Sequence, residues 1–580
     1  MLRLYIALLL TVHFLFACAQ KEDNTWLFGY DYNPGDGLAE GIYFSFNDSL
    51  EISYKQRPMS FFNSSASICD STGNLLIYSN GCYVEKDGGI EVENSEGLNP
   101  GVLYSNCEDN DGYNISQNMI LLLDPVAPYI FHLFHLPLDN TPQGAYFYAI
   151  MHSEFDMAAN SGKGKTLFEN QILVSELIHF DGVHAVRHAN GRDWWILAAK
   201  QFSNKYFMLL LSPAGVEVKE QETGEPTTSY AQGQIVFSPD GAKLARFNAR
   251  DDLRIFDFDR CTGTLSNPIF VPMQNAADIE IFSGMAWSAD SRYIYTAENA
   301  RLLQFDTWAT DIAASMTVVA TADPPVCFLS GSIGFMELGP DGMIYCRPYN
   351  GQNCMHRMKH PERAGVDCDF EQNYYQLDFP YANLAHFPNF RLGPVDGSAC
   401  DTLGIDNHPL AGWRYDRTGG LGVDFTSVSW YEPTEWLWDF GDPASGAANG
   451  SAERNPAHTF SAPGAYTVCL TVSNQYGSDE KCKTVWVSTT GSGSPQEAAA
   501  EVRIYPNPTT GEVRWSGLPE GEEVRVRVMN VLGQHIVEKA VTGNSIDLSA
   551  LPDGMYCLQF LASGGQIIGV TSVQMLKNKK

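Results

Sequence analysis

Positive charge is scarce in this chain: 37 Lys and Arg stand against 68 Asp and Glu, a formal net charge of −31 over 580 residues. Such a surface repels phosphate backbones and anionic lipid headgroups, which excludes nucleic acid as a partner. Long apolar runs are missing too. The stretch from Leu4 to Phe16, interrupted by Tyr5, Thr11 and His13, is too short to cross a bilayer as a stable helix, and no later segment is long and apolar enough. From Trp26 to Pro394 no long amphipathic helical pattern occurs. A Gly-x-Ser-x-Gly nucleophile elbow is also lacking, which removes the commonest sequence sign of a Ser-His-Asp hydrolase.

What is present is ample core material, 44% hydrophobic and 12% aromatic residues, in a chain too long for one core. Its start carries Arg3, the short apolar run, and Ala17-Cys18-Ala19 before Gln20. These are the three parts of a secretory signal peptide, residues 1–19, with cleavage between Ala19 and Gln20. A lipid anchor at Cys18 is the weaker reading, because bulky Phe16 sits where a lipobox wants a small residue. Export lets cysteines oxidise, and twelve of the thirteen remain once Cys18 is removed.

One phrase recurs through the middle of the chain. It reads His188-Ala189-Asn190-Gly191-Arg192-Asp193-Trp194-Trp195, Ser238-Pro239-Asp240-Gly241, Ser288-Ala289-Asp290-Ser291 and Gly339-Pro340-Asp341-Gly342. The turn residues Gly191, Gly241, Ser291 and Gly342 are separated by 50, 50 and 51 positions. Strand, tight turn and strand at that period is the signature of a β-propeller blade. Asp70-Ser71-Thr72-Gly73-Asn74 and Leu123-Asp124-Pro125 extend the series backwards, giving six turns. A seventh blade is expected from strands at both ends, Trp26–Tyr30 and Ala385–Leu392, so seven blades are preferred to six. Taken in order, the phrases around Gly73, Gly112–Gln117, Ala185–Gly191 and Pro388–Pro394 resemble the large exported WD40-like propeller proteins of gliding-type Gram-negative bacteria. The propeller is assigned to residues 20–394.

A polar, Gly-rich junction is expected over 395–426. The next domain, 427–487 in its core or beginning near 397, contains Trp438-Asp439-Phe440-Gly441-Asp442 and Pro463-Gly464-Ala465-Tyr466-Thr467-Val468. These phrases resemble a PKD domain, which implies an immunoglobulin-like β-sandwich. Tyr466, Val468, Leu470 and Val472 alternate with polar neighbours, as in a strand with one buried face. The hairpin over Asn474–Asp479 is centred between Gln475 and Tyr476, so Cys469 and Cys482 face each other and are expected to be bridged.

Residues 488–500 read as a flexible linker. Over 501–580 the phrase Tyr505-Pro506-Asn507-Pro508-Thr509-Thr510-Gly511 and the strands after it resemble the type A C-terminal sorting domain of the type IX secretion system. The resemblance implies a small β-sandwich, passage across both membranes by way of the type IX machinery, removal of the domain, and then release or attachment to surface lipopolysaccharide. Cys557 leaves with it, and eleven cysteines, an odd number, leave at least one free or intermolecular thiol.

Candidate chemistry is sparse. Gly162-Lys163-Gly164-Lys165-Thr166 evokes a phosphate loop, but Ala159 replaces its first glycine and a solvated inter-strand loop is preferred. Asp109 and Asp111 offer calcium-type oxygens without the EF-hand Gly and Glu, whose places hold Asn114 and Ile120. Asp251, Asp252, Asp257 and Asp259 are similar. His132 and His135, three apart on a strand, point to opposite faces; His184 and His188, four apart, lie about 13 Å from each other, too far to share an ion. Trp194, Trp195, Trp287 and Trp308 suit sugar stacking or, preferably, the gaps between blades. The expectation is therefore an all-β exported protein, with no catalytic residue and no cofactor beyond calcium at the acidic turns. Its role is binding or adhesion to an extracellular glycan or protein, with a propeller-based hydrolase of polysaccharide or peptide as the alternative and a structural component of the cell surface as a third reading. Peptide mapping without reduction is expected to recover Cys469 linked to Cys482; free thiols at both positions would refute the hairpin register.

Overall fold

The computed structural model describes residues 21–30, 39–47, 49–108, 112–141, 144–228, 231–273, 283–298, 300–323, 332–348, 352–487, 503–505, 509, 511–516, 524–530, 535–541, 543–552, 554–561 and 567–575. The signal segment with Ala19 and Gln20, the acids Asp109 and Asp111, the linker and Pro506, Asn507 and Pro508 lie outside the described residues.

Seven antiparallel sheets follow one another between Thr25 and Tyr381. The first has three strands, Thr25–Phe28, Ala39–Phe46 and Leu50–Arg57. Sheets two to seven begin with Ala66–Cys69, Met119–Leu123, Ile178–Arg187, Gln234–Phe237, Gly284–Trp287 and Met336–Leu338. Each has four strands except the fourth, whose inner edge also takes the hairpin Leu138–Thr141 and Gly144–Phe147. The leading strand of each sheet contacts that of the next. The last sheet closes on the first through Trp26 against Tyr345 at 5.3 Å and Phe28 against Tyr381 at 5.6 Å. This ring of sheets is a β-propeller.

The recurring phrase has one structural place. In sheets two to seven it is the turn between the first and second strands. Its acidic or amide residue folds the turn by accepting the backbone N–H two positions on: Asp240 Oδ1 from Ala242 at 2.9 Å, Asp290 Oδ1 from Arg292 at 3.2 Å, Asn190 Oδ1 from Arg192 at 3.0 Å. The residue between them has positive φ, which favours glycine: Gly241 is at 70°. Ser291 takes φ 60° instead, and its hydroxyl accepts the Asp240 N–H at 3.0 Å, tying two adjacent turns together.

The structure departs from the expected closure. Ala385–Leu392 forms no strand, and sheet one is built from N-terminal residues alone. The segment is needed elsewhere, as shown below. The stretch read as a junction also holds structure: Trp413–Gly419 and Gly422–Ser427 pair with each other, and the second pairs with Ala457–Thr459. Their glycines hid the alternation of Trp413, Val423 and Phe425, all buried.

Those three strands form one sheet of a β-sandwich. The other contains Gly450–Ser451, Glu435–Asp439, Gly464–Asn474 and Gly477–Val487. Val468, Leu470 and Val472 are buried, and Cys469 is disulfide-bonded to Cys482. Asp442 accounts for its motif: fully buried, it accepts the Ser461 N–H at 2.8 Å and Oγ at 2.6 Å. The described strands between Arg503 and Met575 form two further small sheets around a core that includes Val513, Trp515, Val526 and Phe560. Cys82–Cys107 and Cys261–Cys400 are also bridged, whereas Cys69, Cys346 and Cys368 are free and buried.

Sheets four and five are joined by a buried charge network. Arg246 Nε donates to Asp181 Oδ2 at 2.7 Å, and His179 lies 3.0 Å from Asp181 and 3.1 Å from Asp251. Burial pushes the Asp181 carboxyl up, but the Arg246 charge and His179 carry it below its ordinary value. Arg246→Met strands those carboxylates without their cation, and urea denaturation is expected to show a loss of about 3–5 kcal/mol. A loss below about 1 kcal/mol, the level of an exposed pair, would show the network dispensable.

Candidate functional site

The axis of a propeller is where a ligand funnel is expected. Here the chain fills it with its own residues 382–391, all buried except half-buried Asn389. Asn383 Nδ2 donates to Leu27 O at 2.8 Å and to Ser65 Oγ at 2.9 Å. His386 Nε2 donates to Val183 O at 2.6 Å, and Asn389 Nδ2 to Pro239 O at 2.6 Å. Arg347 donates to Ala382 O. A segment that reaches sheets one, four, five and seven in ten residues must run along the ring's centre. Its amides and imidazole supply the donors that the leading strands' inward carbonyls need once water is excluded.

The plug is anchored at its end by Arg391, which donates to both oxygens of Asp23 at 2.5 and 2.6 Å. Gln234 locks the neighbouring strands: its Oε1 accepts the N–H of Met285 and of Met336, each at 2.9 Å, and its Nε2 donates to Met336 O at 3.0 Å. Beside the plug, among the described residues, lies a cavity of about 60 Å³, bordered by Asp23, His184, Phe237, Trp287, Glu337 and Arg391 among others.

The charges around it deserve a chemical reading. Burial raises the Glu337 carboxyl well above the usual range, against one backbone bond at Phe387, while Asp23 is ion-paired to Arg391. A carboxyl raised by burial near a carboxylate held by an arginine resembles the pattern of a glycosidase pair. Space decides against it, because small-molecule sites enclose roughly 300 Å³ or more. Glu22, beside this pair, is pushed up to about 7 mainly by burial.

The other candidates are dispersed. His135 faces away from His132, bonded to Asn99 at 2.8 Å and Ser153 at 3.0 Å, as a strand requires. His184 packs on His386, whereas His188 lies 3.1 Å from Cys261 O. Asp251 belongs to the charge network, Asp252 Oδ1 accepts the Met273 N–H at 2.7 Å, Asp257 pairs with Lys243 at 2.5 Å, and Asp259 accepts the Cys261 N–H at 2.8 Å. Gly162–Gly164 ends the turn between two strands of sheet three and Lys165 and Thr166 begin the second, with Lys165 beside Glu93 at 3.5 Å. Trp194, Trp195 and Trp287 are buried, but Trp308 is 67% exposed. Tyr505 ends a strand and Gly511 precedes another. Reading the sequence missed His152 and Glu154. Their one signal is His-x-Glu inside an alternating strand, which puts both side chains on one face.

A ring of sheets with a filled axis, followed by two small β domains, defines an all-β modular protein. Residues 420–489 match the PKD domain family, and residues 503–571 match the secretion system C-terminal sorting domain. The PKD1 domain of the Vibrio cholerae metalloprotease PrtV is 30% identical, covering 14% of this chain and 98% of that one, with a TM-score of 0.13. A protein from Lactobacillus plantarum is 12% identical over 62% of this chain and 98% of its own, TM-score 0.37. PorZ, a surface component of the type IX secretion system of Porphyromonas gingivalis, is 11% identical over 94% of this chain and 81% of its own, TM-score 0.19. No curated protein matches the chain. The chain thus carries a PKD domain and a type IX secretion sorting domain, and it is a secreted or cell-surface protein.

His386 makes the plug sensitive to acid. Burial lowers it to about 4, against an ordinary value near 6.5. Above 6.5 it is neutral whether the chain is folded or not. Below that, the unfolded chain takes up a proton that the folded one refuses until about pH 4, so stability falls as pH drops through this window. At pH 5 the loss is about 2 kcal/mol. Urea midpoints at pH 7 and pH 5 are expected to differ accordingly, and His386→Asn to shrink the difference; an unchanged difference would exclude His386 as its source.

Proposed function

We propose that this is an extracellular binding protein that engages a glycan or protein through its rim and outer faces. The observation that supports the reading is the segment 382–391, which among the described residues occupies the place where a propeller would otherwise hold a ligand. Binding is left to exposed loops and edges, and these carry apolar groups: Trp308 beside Arg292 at 5.0 Å on sheet six, and separately Leu437 and Trp486 on the sandwich. An exposed indole backed by a cation stacks well on sugar rings or aromatic side chains. The sandwich serves as spacer or second contact surface, and lipopolysaccharide attachment after loss of the sorting domain would hold the molecule at the surface.

The hydrolase reading is weakened on the same ground, since the carboxylate pattern at the axis has no substrate-sized space. A glycan and protein array with the chain from Gln20 to Val487 is expected to give saturable binding that Trp308→Ala weakens about 10-fold, a loss typical of an interface aromatic anchor. Turnover in a parallel hydrolase panel, removed by Glu337→Gln, would overturn the proposal.

A further inference from the structure

Sheet three gathers four chemistry-bearing side chains on one face. Its second strand, Ile130–His135, pairs with the third, Ile150–Asp156, so that His132 lies directly opposite Glu154. His152 is two residues before Glu154 and shares its face. Asp124 follows the first strand, diagonal to His132. None of these groups belongs to the filled axis.

The geometry converges. His132 Nδ1 is 2.8 Å from His152 Nε2 and 3.5 Å from Glu154 Oε2, and one ligand atom from each residue lies within 4.8 Å of the others. His132 Nε2 is held 3.0 Å from Asp124 Oδ2. If Nε2 donates to that carboxylate, Nδ1 presents its lone pair to the centre of the cluster. A carboxylate that fixes the far nitrogen of a ligating imidazole is the usual support of a metal-bound histidine. The second imidazole is also immobilised, stacked on Phe134 at 4.8 Å and 8° with Phe168 edge-on at 5.0 Å.

The strand that carries His152 and Glu154 runs regularly against Ile130–His135, and the extra residues lie on the outermost strand, Lys165–Val174. Between His152 and Glu154 the pairing with the outermost strand jumps from Gln171 to Phe168, a bulge that places Asn170 at φ 55°. Ser153 Oγ accepts the Asn170 N–H at 2.9 Å, which fixes the bulge from the opposite face.

We infer that His132, His152 and Glu154 form a binding site for a divalent transition ion of the zinc class, with Asp124 as the positioning residue for His132. Two imidazoles and one carboxylate are a borderline-soft donor set that leaves a fourth position open. Tetrahedral binding at about 2.05 Å separates two nitrogens by about 3.3 Å, so the rings part by roughly half an ångström to admit the ion. Glu154 keeps 22% of its side chain exposed, against 5% for His132, and gives the ion its approach from solvent.

The test uses the purified full chain, stripped with chelator and titrated with Zn²⁺ alone by calorimetry, and with Co²⁺ for its visible ligand-field bands. One Zn²⁺ per chain is expected, with a rise in melting temperature, and affinity reduced at least about 10-fold by Asp124→Asn and further by Glu154→Gln. Glu154→Gln alters a partly exposed side chain and keeps its volume, so it decides the question even if His132→Gln or His152→Gln fails to fold. Absence of saturable Zn²⁺ uptake, or equal affinity in the wild type and Glu154→Gln, overturns the assignment.

Discussion

A propeller sheet has two apolar faces and one inner edge, and none of these is tolerable alone. Neighbouring sheets cover the faces, as Trp26 and Tyr345 show where the ring closes. The inner edges meet at the axis, where backbone groups need partners that solvent supplies only if the channel is open. This chain meets the need from within. Asn383, His386, Asn389 and Arg391 each bond a different part of the ring, and Gln234 ties three leading strands together. The residues that close the ring and those that line its axis are therefore bonded to one another within the same chain.

The scarcity of positive charge has a structural counterpart. Among the described residues Arg57, Arg246, Arg260, Arg347 and Arg391 are buried. Most of their bonds run to backbone carbonyls: Arg57 to Phe28, Gly29 and Met59, Arg260 to Arg187 and His188, Arg347 to Ala382. A guanidinium presents five donors in a rigid fork, which suits loop and strand ends where several carbonyls converge. Cations placed inside do little to offset the acids at the surface of a chain whose formal charge is −31.

Much of the architecture was legible because it depends on local chemistry. Asp-Gly and Asp-Ser turns fold through bonds that span two residues, so their 50-residue recurrence marks the blades directly. The PKD phrase is legible because its strand alternates: Val468, Leu470 and Val472 are buried and their neighbours are not. The filled axis was not legible, because Ala385–Leu392 has the composition of a strand and only distant partners make it a plug. Sheet one shows the reverse, completing itself without the C-terminal strand expected of it. The His132, His152 and Glu154 cluster was missed because its pairing is set by which strands of sheet three become neighbours, after the chain has sent the hairpin 138–147 to another sheet.

By itself the sequence determined the all-β class, the repeating turns, the sandwich with its hairpin and the sorting domain, since each rests on alternation, turn residues or bonds between near neighbours. Tertiary structure decided what fills the ring, which acids are neutralised and where imidazoles meet carboxylates. Those outcomes depend on contacts between residues as far apart as Asp23 and Arg391, whose meeting no local pattern encodes.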